Sequence, residues 1–340
     1  MIAHDISVEP ISIMVNANNY GEDMNKSSEL VHLMRKCSTH LIGAENEYVD
    51  LIHYGSIAVA NTKGDVIYAV GDPNRQIFLR SSAKPLQAIA TAESGALEKF
   101  GINEQELAIM CGSHAGQDVH VQTVMGILAK IGLTEDALQC AKNNPARDNC
   151  SGKHSGILAL CRYYGFPVDN YLEPDHPAQT MIRKVIGEMC DVDAVKYGVD
   201  GCGIPTSYIP LANTAIGFAR LANPGDLEQK RKEAIIKISA AMQAYPLMTG
   251  EIRSGMTWPK EIVAKSGALG VYCGGIRHKD TGIALKIDDG SHLPCAFVFT
   301  EVLKRLSLAD KKELDSYQEL SPPIERNRRG DIVAKMEIVF

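Results

Sequence analysis

The alternation of apolar and polar positions becomes regular only from Val49 onward. Ser56–Ala60 and Val66–Val70 are short apolar runs joined by Asn61-Thr62-Lys63-Gly64, so the pattern predicts a β-hairpin. A third run, Ile77-Phe78-Leu79, passes straight into Arg80-Ser81-Ser82-Ala83-Lys84-Pro85, after which Leu86, Ile89 and Ala90 take helical spacing. Ser81 is therefore expected where a strand hands over to a helix. From about 104 to 245 the spacing is mostly helical, with loop signals at 111–117, 143–150 and 200–207, and Pro177 is placed to open a helix running through Met181, Ile182, Val185 and Ile186. Toward the C-terminus the period shortens again. Strands are predicted at Gly270–Cys273, Ile283–Ile287 and Ile332–Phe340, with a helix at about 293–306 between them. Strands at both ends with helices between predict an α+β fold whose antiparallel sheet unites the two chain termini against a mainly helical middle. Residues 1–46 stand apart: Asn16, Asn18, Asn19 and Gly21 break a short apolar run, and residues 28–37 admit a helix. This stretch reads as an N-terminal extension suited to an interface arm, and 47–340 as the main domain.

Composition narrows the function more than the fold. With 45% apolar residues in 340, the chain can bury a substantial core. Its 35 Lys and Arg against 41 Asp and Glu leave a net charge of −6 with no basic block, which argues against binding to nucleic acid or to anionic lipid. Nine cysteines at irregular spacing fit a reducing compartment better than a disulfide framework. The start of the chain lacks the basic n-region of a signal peptide, and no run approaches the roughly twenty apolar residues of a membrane span. The expectation is a soluble, cytoplasmic protein that acts on a small molecule.

Ser81-Ser82-Ala83-Lys84 is the only Ser-x-x-Lys in the sequence. Three residues apart on a helix share a face, so a neutral Lys84 amine is placed to take the Ser81 hydroxyl proton, and the helix N-terminus favours developing negative charge. The bland reading is that roughly one such spacing arises by chance in a chain of this size. Two further pieces add weight. Cys111-Gly112-Ser113-His114-Ala115-Gly116 puts a second serine in a glycine-flanked loop, and Lys265-Ser266-Gly267 opens a C-terminal strand. A helix serine, a polar residue in a middle loop and a Lys-Ser/Thr-Gly strand recur in that order in serine β-lactamases and penicillin-binding proteins.

Five segments together, Arg80-Ser81-Ser82-Ala83-Lys84-Pro85-Leu86-Gln87, Cys111–His114, Asn149-Cys150-Ser151-Gly152-Lys153-His154, Asp200-Gly201-Cys202-Gly203-Ile204-Pro205 and Lys265–Ala268, resemble the asparaginase family first described in Rhizobium etli, also called class 3. The resemblance runs from about residue 49 to the end. It implies an L-asparaginase on a serine β-lactamase-like and glutaminase-like fold, usually a homodimer. It also implies two Ser–Lys pairs, Ser81 with Lys84 and Ser113 with Lys265, and a zinc site of Cys150, Lys153 and Cys202 in which the metal modulates substrate binding. His53-Tyr54-Gly55 departs from the His-Arg-Gly of the family, and residues 1–46 have no counterpart in it.

On those expectations Ser81 is the nucleophile, Lys84 its base, and Ser113 with Lys265 the relay that protonates departing ammonia. Substrate-binding candidates are Arg80, His114 and Asp200. Arg80 suits a substrate carboxylate and a structural salt bridge equally. Asp200 and His154 flank the cysteines and can support them, and His154 is equally suited to a structural role. The alternatives are a glutaminase, a β-lactam-type serine amidohydrolase, or a non-catalytic zinc-binding module on the same scaffold.

Overall fold

The structure, a computed structural model, describes residues 31–41, 44–250, 258–316 and 324–340. The expected hairpin is present. Strand β2 (Ala44–Ala60) pairs antiparallel with β3 (Val66–Val70), Ile57 opposite Val70, and the Asn61 side-chain oxygen accepts from the backbone N–H groups of Lys63 and Asp65 to close the turn. β1 (Val31–Leu41) lies between β2 and the C-terminal strand β11 (Ile332–Val339). Residues 31–37, expected within a helix, are thus strand: pairing along both edges overrides a weak local preference. The remainder of 1–46 up to residue 30 lies outside the described residues.

The other strands are β4 (Gln76–Phe78), β5 (Lys196–Val199), β6 (Pro205–Pro210), β7 (Ile262–Gly267), β8 (Val271–Ile276), β9 (Thr281–Ile287) and β10 (Ile324–Arg326). Among the described residues the main sheet runs β10, β11, β1, β2, β9, β8, β7, with β3 also on β2, and β4, β6 and β5 make a second, small sheet. Both ends of the described chain therefore sit in one antiparallel sheet, as expected. Lys265-Ser266-Gly267 closes β7 rather than opening a strand. β5 and β6 fall around a segment read as loop, where Gly198, Pro205 and Pro210 hide the period.

The two faces of the main sheet differ in bulk, and this fixes what covers them. Ile57 and Val59 of β2 join Ile283, Leu285 and Ile287 of β9 under the helix Leu293–Arg305, which contributes Val298, Phe299 and Val302. Ala58, Ala60, Cys273 and Ala284 face the opposite way, toward the helical region. There the helix Leu211–Ala222 lies almost on the backbone: a Cβ on Gly275 would stand 2.0 Å from the Phe218 carbonyl oxygen, and one on Gly282 2.0 Å from that of Ala215. The helix Lys84–Ser94, buried along nearly its whole length, forms the axis of the helical region.

Candidate active site

The turn that carries Ser81 is built by the small sheet. β4 pairs with β6, and beyond it Leu79 N–H donates to Ser207 O and Arg80 N–H to Thr206 Oγ1. Arg80 then takes the left-handed region at φ 54°, and residues Arg80–Ala83 form one 3₁₀ turn that runs into the helix at Lys84. The Ser82 hydroxyl donates back to Leu79 O and is buried, whereas Ser81 is half-buried and its hydroxyl has no hydrogen bond among the described residues. The end of β7 rests on this turn, since a Cβ on Gly267 would meet Leu79 O at 2.7 Å and Ser82 N at 3.3 Å. Residues two apart on a strand share a face, so Lys265 is directed at the same place. It is fully buried, with its amine donating to Ser266 O at 3.0 Å.

Lys84 is fully buried at the centre of the cluster. Its amine contacts three oxygens: Gly112 O at 2.6 Å, Ser113 Oγ at 2.9 Å and Asn149 O at 3.0 Å. The hydroxyl in reach of Lys84 is thus that of Ser113, which the family resemblance pairs with Lys265. Sequence spacing could not reveal this contact, because Ser113 arrives from a different loop. Burial drives the Lys84 ammonium down from its ordinary 10.5 to about 8, opposed by the attraction of Cys150 and aided by the repulsion of Lys153 and Lys265.

The loop carrying Ser113 is held from two sides. Ser113 N–H donates to Thr249 O at 2.9 Å, a contact no motif suggested. His114, expected to bind substrate, has both ring nitrogens committed inside the protein: Nδ1 accepts from Gly116 N–H at 3.2 Å and Nε2 lies 2.9 Å from Ser151 Oγ. Its ring stacks on His120, and burial pushes its pKa down to about 3. It is therefore a neutral brace for the Ser113 loop. Asp200, the other expected substrate contact, forms an ion pair with Arg80 at 3.1 Å, and the buried Arg80 Nε remains without a partner.

The third group lies at the N-terminus of the helix Ser151–Tyr164. Cys150 is its N-cap, and Lys153, one turn in, places its amine 3.0 Å from Cys202 Sγ. Cys150 and Cys202 also act on each other's ionisation. Cys202, with Lys153 and Lys84 nearby, pulls Cys150 well below the ordinary thiol range, and Cys202 is raised in turn, so the pair holds one proton. Burial disfavours the Lys153 ammonium, yet Cys150, Cys202 and Asp200 outweigh it and hold its pKa above the ordinary value. His154 sits behind, its Nδ1 2.7 Å from the Tyr171 hydroxyl. Among the described residues no group of three or more His, Cys, Asp and Glu is placed to hold a metal. Two sulfurs and an amine do converge here, and that donor set suits zinc once the amine gives up its proton.

No helix among the described residues is long and apolar enough to cross a membrane. A search of curated proteins gives no match. Among solved structures the chain is similar to Mglu crystallised in 4.3 M NaCl, at 15% identity over 75% of this chain and 61% of that one, with a TM-score of 0.40. It is also similar to a β-lactamase from Mycobacterium bovis, at 14% identity over 70% of this chain and 88% of that one, TM-score 0.40. A third likeness is to an octameric penicillin-binding protein homologue from Pyrococcus abyssi, at 16% identity over 74% and 73%, TM-score 0.42. The sequence profile of L-asparaginase II matches residues 44–338, which takes in every residue of the site described above. The chain belongs to the L-asparaginase II family of amidohydrolases.

Proposed function

We propose that the protein hydrolyses the side-chain amide of L-asparagine to L-aspartate and ammonia through a serine acyl-enzyme. The observation that carries this reading is the contact of buried Lys84 with Ser113 Oγ at 2.9 Å. A neutral Lys84 has two hydrogens and one lone pair. The hydrogens go to the carbonyl oxygens of Gly112 and Asn149, and the lone pair is left for the Ser113 proton. Ser113 Oγ adds to the amide carbon, Lys84 gives the captured proton to the departing nitrogen, and ammonia leaves. Water then cleaves the ester. Lys265, buried beside the same turn, keeps Lys84 from holding its proton. Arg80, fixed by Asp200, offers its unpartnered Nε to the substrate carboxylate.

A second assignment has its own support: the half-buried Ser81 hydroxyl, without a hydrogen bond among the described residues, is free to attack while Ser113 passes its proton to Lys84. Zinc, where bound, is held by Cys150, Lys153 and Cys202, and would act as a Lewis acid that polarises a substrate oxygen. None of the eight cysteines whose side chains are described forms a disulfide, which supports a cytoplasmic enzyme. We infer a homodimer, to be tested by light scattering.

The deciding experiment measures ammonia release from L-asparagine, L-glutamine and a chromogenic β-lactam by wild type, Ser81→Ala and Ser113→Ala, with peptide mapping of any trapped acyl group. Turnover of asparagine that is lost in the serine variant whose peptide carries the acyl group supports the reading. A preference for glutamine or the β-lactam would replace the substrate. Absence of turnover on all three would leave a zinc-binding module.

A further inference from the structure

A second histidine lies beside the Ser113 loop. His120 is 1% exposed, in the first turn of the helix Asp118–Lys130. Its Nδ1 accepts from Gln117 N–H at 3.1 Å, so that nitrogen bears no proton, and Nε2–H is left to donate to Leu247 O at 3.1 Å. The ring stacks on His114, with centroids 4.9 Å apart and planes 15° from parallel. His114 carries the same tautomer, since its Nδ1 accepts from Gly116 N–H and its Nε2–H donates to Ser151 Oγ, whose own proton goes to Ala146 O.

Leu247 belongs to the short helical turn Pro246–Thr249, which lies against the Ser113 loop with no room between them. A Cβ on Gly112 would stand 2.0 Å from Met248 O, and one on Gly250 2.1 Å from Ser113 O. Between these two contacts Thr249 O accepts from Ser113 N–H at 2.9 Å. From this geometry we infer that His120 is a positioning residue for Ser113, acting through Leu247 O on one side and the His114 ring on the other. Lys84 reaches Gly112 O, Ser113 Oγ and Asn149 O together only while the segments that carry them keep their spacing. His114 spans the two segments by its bond to Ser151, and His120 holds both that ring and the turn that fixes Ser113 N–H. Without the Nε2–H bond Leu247 O is released, and Thr249 O moves with it. A shift of about 1 Å between reacting groups is enough to cost a hundredfold in rate. The effect on turnover rests on the functional reading above, whereas the hold on the Ser113 backbone does not.

A histidine at this position also caps its helix through Nδ1, and the test separates the two roles. It compares full-length wild type with His120→Gln, His120→Asn and His120→Phe. Glutamine reaches Leu247 O with its amide N–H, asparagine is long enough only to accept from Gln117 N–H, and phenylalanine keeps the ring stack and loses both nitrogens. Ammonia release from asparagine is followed together with hydrogen exchange of the peptide containing Ser113. In His120→Phe and His120→Asn the expected result is kcat lower by about ten- to a hundredfold and faster exchange of that peptide. KM should stay within about twofold of wild type, and both kcat and exchange should return toward wild type in His120→Gln. Equal activity in His120→Asn and His120→Gln, whether both recover or both fail, would overturn the inference. So would wild-type kcat in His120→Phe, or a raised KM at constant kcat. Should His120→Phe fail to fold by circular dichroism, the contrast between His120→Gln and His120→Asn decides alone. A wild type without turnover of asparagine, glutamine or the β-lactam would refute the functional reading. The hold on Ser113 is then judged by exchange, and equal exchange in His120→Gln and His120→Asn would overturn it.

Discussion

If neutral Lys84 is the base, the pH dependence of turnover reports its ionisation, and the structure sets where. Burial places its pKa at about 8. The neutral fraction is then about one tenth at pH 7, half at pH 8 and about nine tenths at pH 9. Since only the neutral amine can accept the Ser113 proton, kcat/KM should rise about tenfold between pH 7 and pH 9 and level off above that. Lys84→Arg keeps the charge and approximate length but removes the titration, because guanidinium stays protonated throughout this range. The variant should lose about 10²- to 10⁴-fold in kcat/KM and lose the rising limb with it. The assay is coupled ammonia detection at saturating and limiting asparagine, on chelator-dialysed protein so that no bound metal adds a titration. A flat wild-type profile from pH 6 to 9, or an intact limb in Lys84→Arg, would refute the assignment of the base.

Three further outcomes follow from the packing. Gly282→Ala puts a methyl group 2.0 Å from the Ala215 carbonyl oxygen, so the Leu211–Ala222 helix must shift; a loss of about 1–3 kcal/mol is expected in urea denaturation. Arg231→Ala removes the ion pair of Glu93 and one of the two on Glu188, and with them the tie between the Gln229–Ala244 helix and the helices behind the site; it should cost about 1–3 kcal/mol in urea denaturation. His114→Ala removes one of the two partners of the Ser151 hydroxyl and the acceptor of Gly116 N–H without touching the reacting atoms. It should lower kcat more than it raises KM, since what it loosens is the placing of Ser113 against Lys84.

Much of the site was legible because its chemistry is clustered in short segments. Ser81 and Lys84 lie one turn apart, and Cys150 and Lys153 likewise, so helical spacing alone places each pair on one face. What spacing does not contain is the approach of separate segments. The Lys84–Ser113 contact spans twenty-nine positions and depends on Thr249 holding the Ser113 backbone from a third place in the chain. His114 shows the same limit: a histidine beside a serine in a glycine-flanked loop reads as a substrate contact, and only the fold brings Ser151 and Gly116 to its two ring nitrogens. In the fold, β8, β9 and the end of β2 announced themselves through continuous apolar runs, as strands buried on both faces do, and β3 shows the same run although Val66 and Ile67 are exposed. β1 did not, because it is held by pairing to β2 and β11 and not by a pattern of its own.

The arrangement of charge explains why cysteines belong in this site at all. Three lysines, Lys84, Lys153 and Lys265, are sealed from solvent in one pocket. Three buried ammonium groups with no counter-charge would each lose their protons or drive the pocket open. Asp200 supplies one negative charge and shares it with Arg80. The second comes from the Cys150–Cys202 pair, which carries a single proton between two sulfurs and therefore one thiolate. That thiolate holds Lys153 protonated while Lys84, farther into the apolar region and flanked by Lys265, is brought down toward neutrality. The same residue type thus serves as a fixed cation at one position and as a base at another. The difference lies in the balance: at Lys84 burial outweighs the attraction of Cys150, whereas at Lys153 Cys150, Cys202 and Asp200 together outweigh burial.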